Sequence, residues 1–433
     1  MIMGKLSRAF IITIGVIFWT TAYGWSQDGD SLSLEAIVKE ARDNNPQIKS
    51  AYHSWKAVEY RVPQATALAD PQVSYKYTGE NDRARTGAME QEYGISQAIP
   101  FPGKRTLAGQ AVRDEASSLK ANYEKVKREV INEVKSVYYD LFWVAHAVDI
   151  IQEQKALLKD LEGSALKKYE THQSPQQDAL RTSLEYQALN ERLYMFEQQH
   201  KALQAKFNSL LNRPERQEVP SVKTITRSEF KYSLEDILAK TDQSSPELRM
   251  ARFEADKAQK QKTLTKMNFL PDFMFSYNYI SRTYDAIGPL PDAWEGMVSV
   301  NIPFWFNKQR AQIREAKANF ESQKEKLQDT KNRTGFEIQD AYFMVKSTGD
   351  IISLYDTSLL PQAEQVSRVT KIGYETGESN FFDTLDAQGK YLEMRFAYYK
   401  ALADYEKAIS NLERLVGMDL SPAPTNSNTG GRL

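Results

Sequence analysis

The chain has 433 residues, with 56 Lys+Arg against 57 Asp+Glu for a formal charge of −1, and it contains no cysteine. Balanced charge gives no basic footprint for nucleic acid, and the missing thiols exclude disulfides, thiolate zinc sites, iron–sulfur clusters, thiol catalysis and a lipidated N-terminal cysteine. Gly (20) and Pro (16) are scarce while 26% of residues are charged, a profile of extended helix rather than of α/β layers.

Lys5 and Arg8 precede the apolar run Ala9 to Trp19, and small residues follow around Ala22 and Gly24. This order describes a secretory signal peptide over residues 1–26, with cleavage after Gly24 or Ser26. Read as a membrane anchor instead, the run falls short of the ~20 residues a helical crossing needs. No later stretch is long and apolar enough for such a helix, so an exported chain without a helical span is expected.

The remainder repeats itself. Ser33-Leu34-Glu35-Ala36-Ile37 returns as Ser233-Leu234-Glu235-Asp236-Ile237, and Pro71 returns as Pro271, both at an offset of 200. Ile99-Pro100-Phe101 matches Ile302-Pro303-Phe304, and Tyr169-Glu170-Thr171 matches Tyr374-Glu375-Thr376. Ordered anchors with slowly drifting offsets indicate a tandem duplication, residues 27–220 followed by residues 221–418. The Pro/Asn/Gly/Ser-rich segment 419–433 reads as a disordered tail.

Each unit has one grammar. In the first, a broken helical segment leads to strands at about 72–78 and 92–99, where Val73 to Tyr77 alternates with period two. A long helix follows at about 104–171, its seam running through Val130, Val134, Val137, Leu141 and Val144. After a short break comes a return helix at 175–211. The second unit repeats this with strands at about 272–281 and 296–302, a long helix at about 309–375 and a return helix at 380–416.

Two isolated hairpins are marginal in water, and open strand edges are not tolerated in lipid. Four strands are too few for a barrel, so other copies should complete them. Two copies supply eight strands and three supply twelve; the larger number can leave a lumen. Phe101, Phe304, Trp305 and Phe306 stand at the strand-to-helix junctions, as an interfacial aromatic girdle or as packing at a helix cap. The four histidines are dispersed, and no nucleophile–base pair, phosphate loop or metal motif is visible, so no enzyme, cofactor or metal site is expected.

The duplicated helix–hairpin–long helix–helix units, Ile99-Pro100-Phe101-Pro102-Gly103-Lys104-Arg105, and the stretch Tyr374 to Ala387 with Gly377, Asp383, Leu385 and Asp386 resemble the TolC family. The resemblance covers about Leu32 to Met418. It implies a mainly α fold with membrane β-hairpins, a homotrimer whose 12-stranded outer-membrane β-barrel continues into a 12-helix periplasmic α-barrel. It also implies an exit duct for small molecules or ions in a tripartite efflux pump, with a periplasmic adaptor and an inner-membrane transporter of the RND type as partners and outer-membrane lipid around the barrel. A type I protein-secretion duct or a periplasmic coiled-coil adaptor are the alternatives.

By the same resemblance, Asp383 and Asp386 narrow the periplasmic entrance as an acidic ring, and Tyr374 and Asp178 tie neighbouring tip helices together. The adaptor-docking tips comprise Gly377, Glu378 and Ser379 in the second unit and His172 and Ser174 in the first. The pattern departs where Ser379 stands in place of an arginine found in some members. It departs again where His172 replaces the usual glycine. Gly377 is expected to supply either a close backbone approach or the left-handed geometry of its turn.

Overall fold

The computed structural model describes residues 33–78, 90–282, 288–289 and 291–420. The expected signal peptide and residues 421–433 of the expected tail lie outside the described residues, whereas Asp419 and Leu420 are described, Leu420 being buried. The described residues are mainly helical, with one four-stranded sheet.

Chain entry into the bundle is a kinked helix pair, α1 (Leu34–Asn44) and α2 (Pro46–Glu59). Asn45 sets the kink: its side chain accepts from the Gln47 and Ile48 amides, and Pro46 occupies the first turn where no N–H is needed. The same side chain donates to the Leu210 carbonyl at 2.8 Å, fastening the kink to the far end of the unit. A short α3 (Arg61–Thr66) leads into β1 (Gln72–Thr78) and β2 (Glu90–Ile99).

The long helix α4 runs Lys104–Glu170, 67 residues, or roughly 100 Å at 1.5 Å per residue. Val130, Val134, Val137, Leu141, Val144 and Ile151 are all buried along one seam. The return helix α5 (Gln176–Leu211) packs back on it. A strap without regular structure then crosses the bundle; its own Val219 and Val222 are buried against the helices, and its Ser228 amide donates to Glu406 at 2.6 Å.

The element order then recurs: α6 (Leu234–Ser244), α7 (Pro246–Met267), β3 (Phe273–Arg282), β4 (Ala293–Val300), α8 (Phe306–Leu354), α9 (Leu360–Thr376) and α10 (Phe381–Val416). Ser244 repeats the fastening role, donating to the Val416 carbonyl at 2.6 Å. Where one uninterrupted helix was expected over 309–375, α8 and α9 are separated by a π turn, Tyr355–Leu359. Pro361 is the reason. It has no N–H to give, and its ring would collide with the carbonyl four residues back in a regular helix; the Leu360 amide instead reaches the Tyr355 carbonyl.

The hairpins are not isolated as the sequence suggested. β2 pairs antiparallel with β3 over ten residue pairs from Glu90↔Arg282 to Ile99↔Phe273, so the sheet order is β1-β2-β3-β4. Within the chain, β1 and β4 remain as edges. Side-chain packing elsewhere forms three apolar clusters: one under the strap around Val137 and Phe207, one around Ile338 and Leu412, and one toward the far helix ends around Leu158, Leu189 and Tyr374.

Candidate functional site

The sheet register sorts its side chains into two faces. Directly opposed residues share a face, so Tyr75, Tyr93, Tyr279 and Trp294 form one row, and Val73, Ile95 and Tyr277 form the next. Phe275 with Val298, and Phe273 with Val300, extend this apolar face toward the helices. The opposite face carries Ser74, Gly94, Asn278 and Ser276, with the ion pairs Lys76–Glu92 at 3.4 Å and Arg282–Glu90 at 3.0 Å. Most of the apolar face is exposed in the single chain, Trp294 at 72% and Val73 at 82%. An apolar outer face alternating with a polar inner one is the pattern of a membrane barrel wall.

At the foot of the sheet, Asp272 receives both the Phe101 amide and the Lys104 ammonium at 2.8 Å. The strand-to-helix turn of the first unit is thereby pinned to the second unit. Phe101 is partly buried in this junction, whereas Phe304, Trp305 and Phe306 are exposed, Trp305 at 79%.

The opposite end of the molecule carries two turns of matching construction. After α9 the amides of Glu378 and Ser379 donate to the Gly373 carbonyl at 2.7 and 2.9 Å, and Gly377 has φ +87°. After α4 the amides of Gln173 and Ser174 donate to the Lys168 carbonyl at 2.7 and 3.3 Å, and His172 has φ +56°. Both are helix ends closed by a left-handed residue. Of the two roles open to Gly377, left-handed geometry is the one seen, since a methyl group there meets nothing. Close approach belongs to Gly373, where a methyl group would collide with the Ser379 hydroxyl.

The two turns touch. Lys168 donates to the Tyr374 carbonyl, and its ammonium lies 4.0 Å from the centre of the Tyr374 ring. Tyr374 is buried, and its ring meets Phe381 edge-on. Its hydroxyl lacks a well-formed hydrogen bond; Ser174 and Asp178 are the polar groups beside it, so burial and the Asp178 carboxylate both raise the phenol's pKa. Burial likewise raises the Asp178 pKa, against the opposing pull of Arg181 and Lys168. Tyr374, Asp178 and Ser174 are therefore neighbours, joined through Lys168, a residue the sequence did not single out.

Asp383 and Asp386 lie on the first turns of α10 in different settings. Asp383 forms a reciprocal cap with Asn380: its amide donates to Asn380 Oδ1 at 2.8 Å, and its Oδ2 accepts from Asn380 Nδ2 at 2.7 Å. Asp386 Oδ2 is 2.7 Å from Lys390 Nζ, one helical turn on, and this partner raises the lysine's pKa. The spacing of four residues between Asp386 and Lys390 was readable in the sequence as a favourable helix pair. Glu378 and His172 are exposed at the extreme tips, with Ser379 half-buried. Among the described residues no group of His, Asp or Glu is placed to hold a metal ion.

A family model described as "Outer membrane efflux protein" matches residues 237–418. A 60-residue stretch is 35% identical to the cobalt-zinc-cadmium resistance protein CzcC of Cupriavidus metallidurans, spanning 14% of this chain and 14% of that protein. The fold is similar to that of the outer membrane protein VceC of Vibrio cholerae, with a TM-score of 0.76 and 15% identity over 90% of this chain and 97% of that one. It is also similar to the CmeC outer membrane channel of Campylobacter jejuni, with a TM-score of 0.77 and 14% identity over 97% and 94%. The open state of the Neisseria gonorrhoeae MtrE outer membrane channel gives a TM-score of 0.74 at 14% identity, over 90% and 89%. These structural likenesses are likenesses of fold. Residues 237–418 thus carry a segment that matches the outer membrane efflux protein model, within a chain whose fold is similar to that of these channels.

Proposed function

We propose that three copies of this chain form a passive exit duct through the outer membrane, serving a tripartite efflux pump. The observation that carries this reading is the sheet: one face mostly apolar, the other mostly polar, and, among the described residues, both edges open. Three such sheets joined edge to edge make a 12-stranded barrel with lipid outside and a polar lumen inside. Closure would satisfy the edge strands β1 and β4, which lipid does not tolerate unpaired. Phe304, Trp305 and Phe306 then belong to the aromatic girdle at the interface, with Phe101 packing behind it.

The helices support the same assembly. Phe336, Phe343, Leu354, Val366, Val369 and Ile372 are exposed along α8 and α9, as are Leu180, Leu184 and Tyr194 along α5. Long apolar stripes of this kind mark surfaces that another chain covers. Four helical strands of the wall per chain, two from each unit of a duplicated sequence, give a 12-helix periplasmic barrel. Its far end is the entrance, with Asp383, Asp386, Tyr374 and Asp178. The two turns, with His172, Ser174, Gly377, Glu378 and Ser379, are where a periplasmic adaptor would dock and link the duct to an inner-membrane transporter, RND-type on this reading. The stretch similar to a cobalt-zinc-cadmium resistance protein favours metal cations among the small cargoes.

Native mass of protein extracted from outer membranes tests the assembly. Three chains per particle is the expected result; a monomer or dimer recovered from the soluble fraction would overturn it.

A further inference from the structure

A groove of about 510 Å³ opens between the first turns of α5 and α10, on a floor of leucines from α4, α5 and α10. Five charged side chains line it: Arg181 and Glu185 from α5, and Asp386, Lys390 and Glu393 from α10. Arg181 sits against the Phe382 ring, 5.7 Å from its centre. Asp386 and Lys390 are in direct contact at 2.7 Å, with 48% and 67% of their side chains exposed.

We infer that Lys390 sets the charge selectivity of the duct's entrance by offsetting Asp386. This rests on the proposed channel reading, which puts the start of α10 at the entrance. Two cations face three carboxylates in the groove, leaving one negative charge in excess per chain; without Lys390 the excess doubles. Selectivity at a narrow mouth follows from the net charge of rings of side chains. An aspartate whose neighbour is an ammonium contributes little to such a ring beyond a few ångströms, because the pair acts as a dipole. An acidic entrance of six equivalent carboxylates, as Asp383 and Asp386 alone would suggest, is therefore not what this chain builds. Among the described residues the hydrogen-bond partner of the Asp383 carboxylate is the neutral Asn380 amide, so it and Asp386 are unequal.

The experiment is the reversal potential of single channels in a planar bilayer under a KCl gradient, at salt of about 0.1 M or below so that screening stays modest. Lys390→Gln should raise the K⁺/Cl⁻ permeability ratio about twofold or more over wild type. Lys390→Arg should leave it unchanged, and Asp386→Asn should lower it. The double variant Asp386→Asn/Lys390→Gln should return to the wild-type ratio. An unchanged ratio in Lys390→Gln overturns the assignment, as does a Lys390→Arg channel that shifts as far as the glutamine variant. If Lys390→Gln does not assemble, the double variant decides: a wild-type ratio supports the assignment, and a ratio as low as that of Asp386→Asn overturns it. Wild-type protein that does not conduct at all overturns the channel reading, and this assignment with it.

Discussion

Lys168 lies across Tyr374, donating to its carbonyl and placing an ammonium 4.0 Å from its ring centre. One side chain thus joins the turn that ends α4 to the turn that ends α9, linking the two units of the chain at the end away from the sheet. A charge-assisted bond and a partly exposed cation–π contact together are worth about 1–2 kcal/mol. On the proposed channel reading, Lys168→Met should therefore raise the open probability of the entrance by roughly 5- to 30-fold, measured as time-averaged single-channel current. An unchanged current would show that the contact does not hold the tips together.

The two turns should respond in opposite directions to changes at their left-handed residues. Gly377→Ala should destabilise by about 1 kcal/mol, because an L side chain is disfavoured at that φ. His172→Gly should stabilise by about 0.5–1 kcal/mol for the converse reason. Gly373→Ala should cost more than Gly377→Ala, since it meets the Ser379 hydroxyl. Denaturation midpoints of the detergent-solubilised protein rank all three.

The strap between the units supplies a pH-dependent contribution. Glu406 is 3% exposed and accepts from the Ser228 amide at 2.6 Å and the Ser228 hydroxyl at 2.7 Å. Burial nevertheless holds its pKa above the usual carboxylate value, outweighing those bonds, Tyr139 and Lys135. A carboxyl whose folded pKa is raised stabilises the fold at low pH and loses that contribution as pH rises through the folded pKa. Relative to Glu406→Gln, wild-type thermal stability should therefore decline as pH is raised from the acid range toward neutrality. A stability gap that is flat with pH, or widens in favour of wild type, contradicts this.

The two faces of the sheet should tolerate charge very differently. Tyr277→Lys puts an ammonium on the apolar face midway along β3 and should cost about 2–4 kcal/mol. Ser276→Lys, one residue before, points to the polar face and should be accommodated. Yield of folded protein in the outer membrane, compared between the two variants, is the readout; equal yields would contradict the assignment of faces.

How much of this was legible depended on the range of the signal. The strands at Val73 to Tyr77 and Phe273 to Tyr279 showed through local alternation, and the α4 seam through its spacing of three and four. Pairing of β2 with β3 was not legible, because Tyr93 and Tyr279 meet across 186 positions and strand order leaves no local mark. The apolar face was hidden for the same reason: it forms only when the register aligns Tyr75 and Tyr93 with Tyr279 and Trp294. The π turn had a visible cause in Pro361 but was read as continuous helix. At the tips, the family resemblance drew attention to Tyr374 and Asp178, while Lys168 carried no motif. Asp386 was singled out through the family resemblance, although the lysine four residues on was already in view.

The central claim is a conducting path through an assembly of these chains, and single-channel recording in a planar bilayer tests it most directly. Purified protein should insert and give discrete, long-lived conductance steps, each from one trimer. Protein that associates with the bilayer yet never conducts, under salt and voltage that open no path through it, would contradict the account.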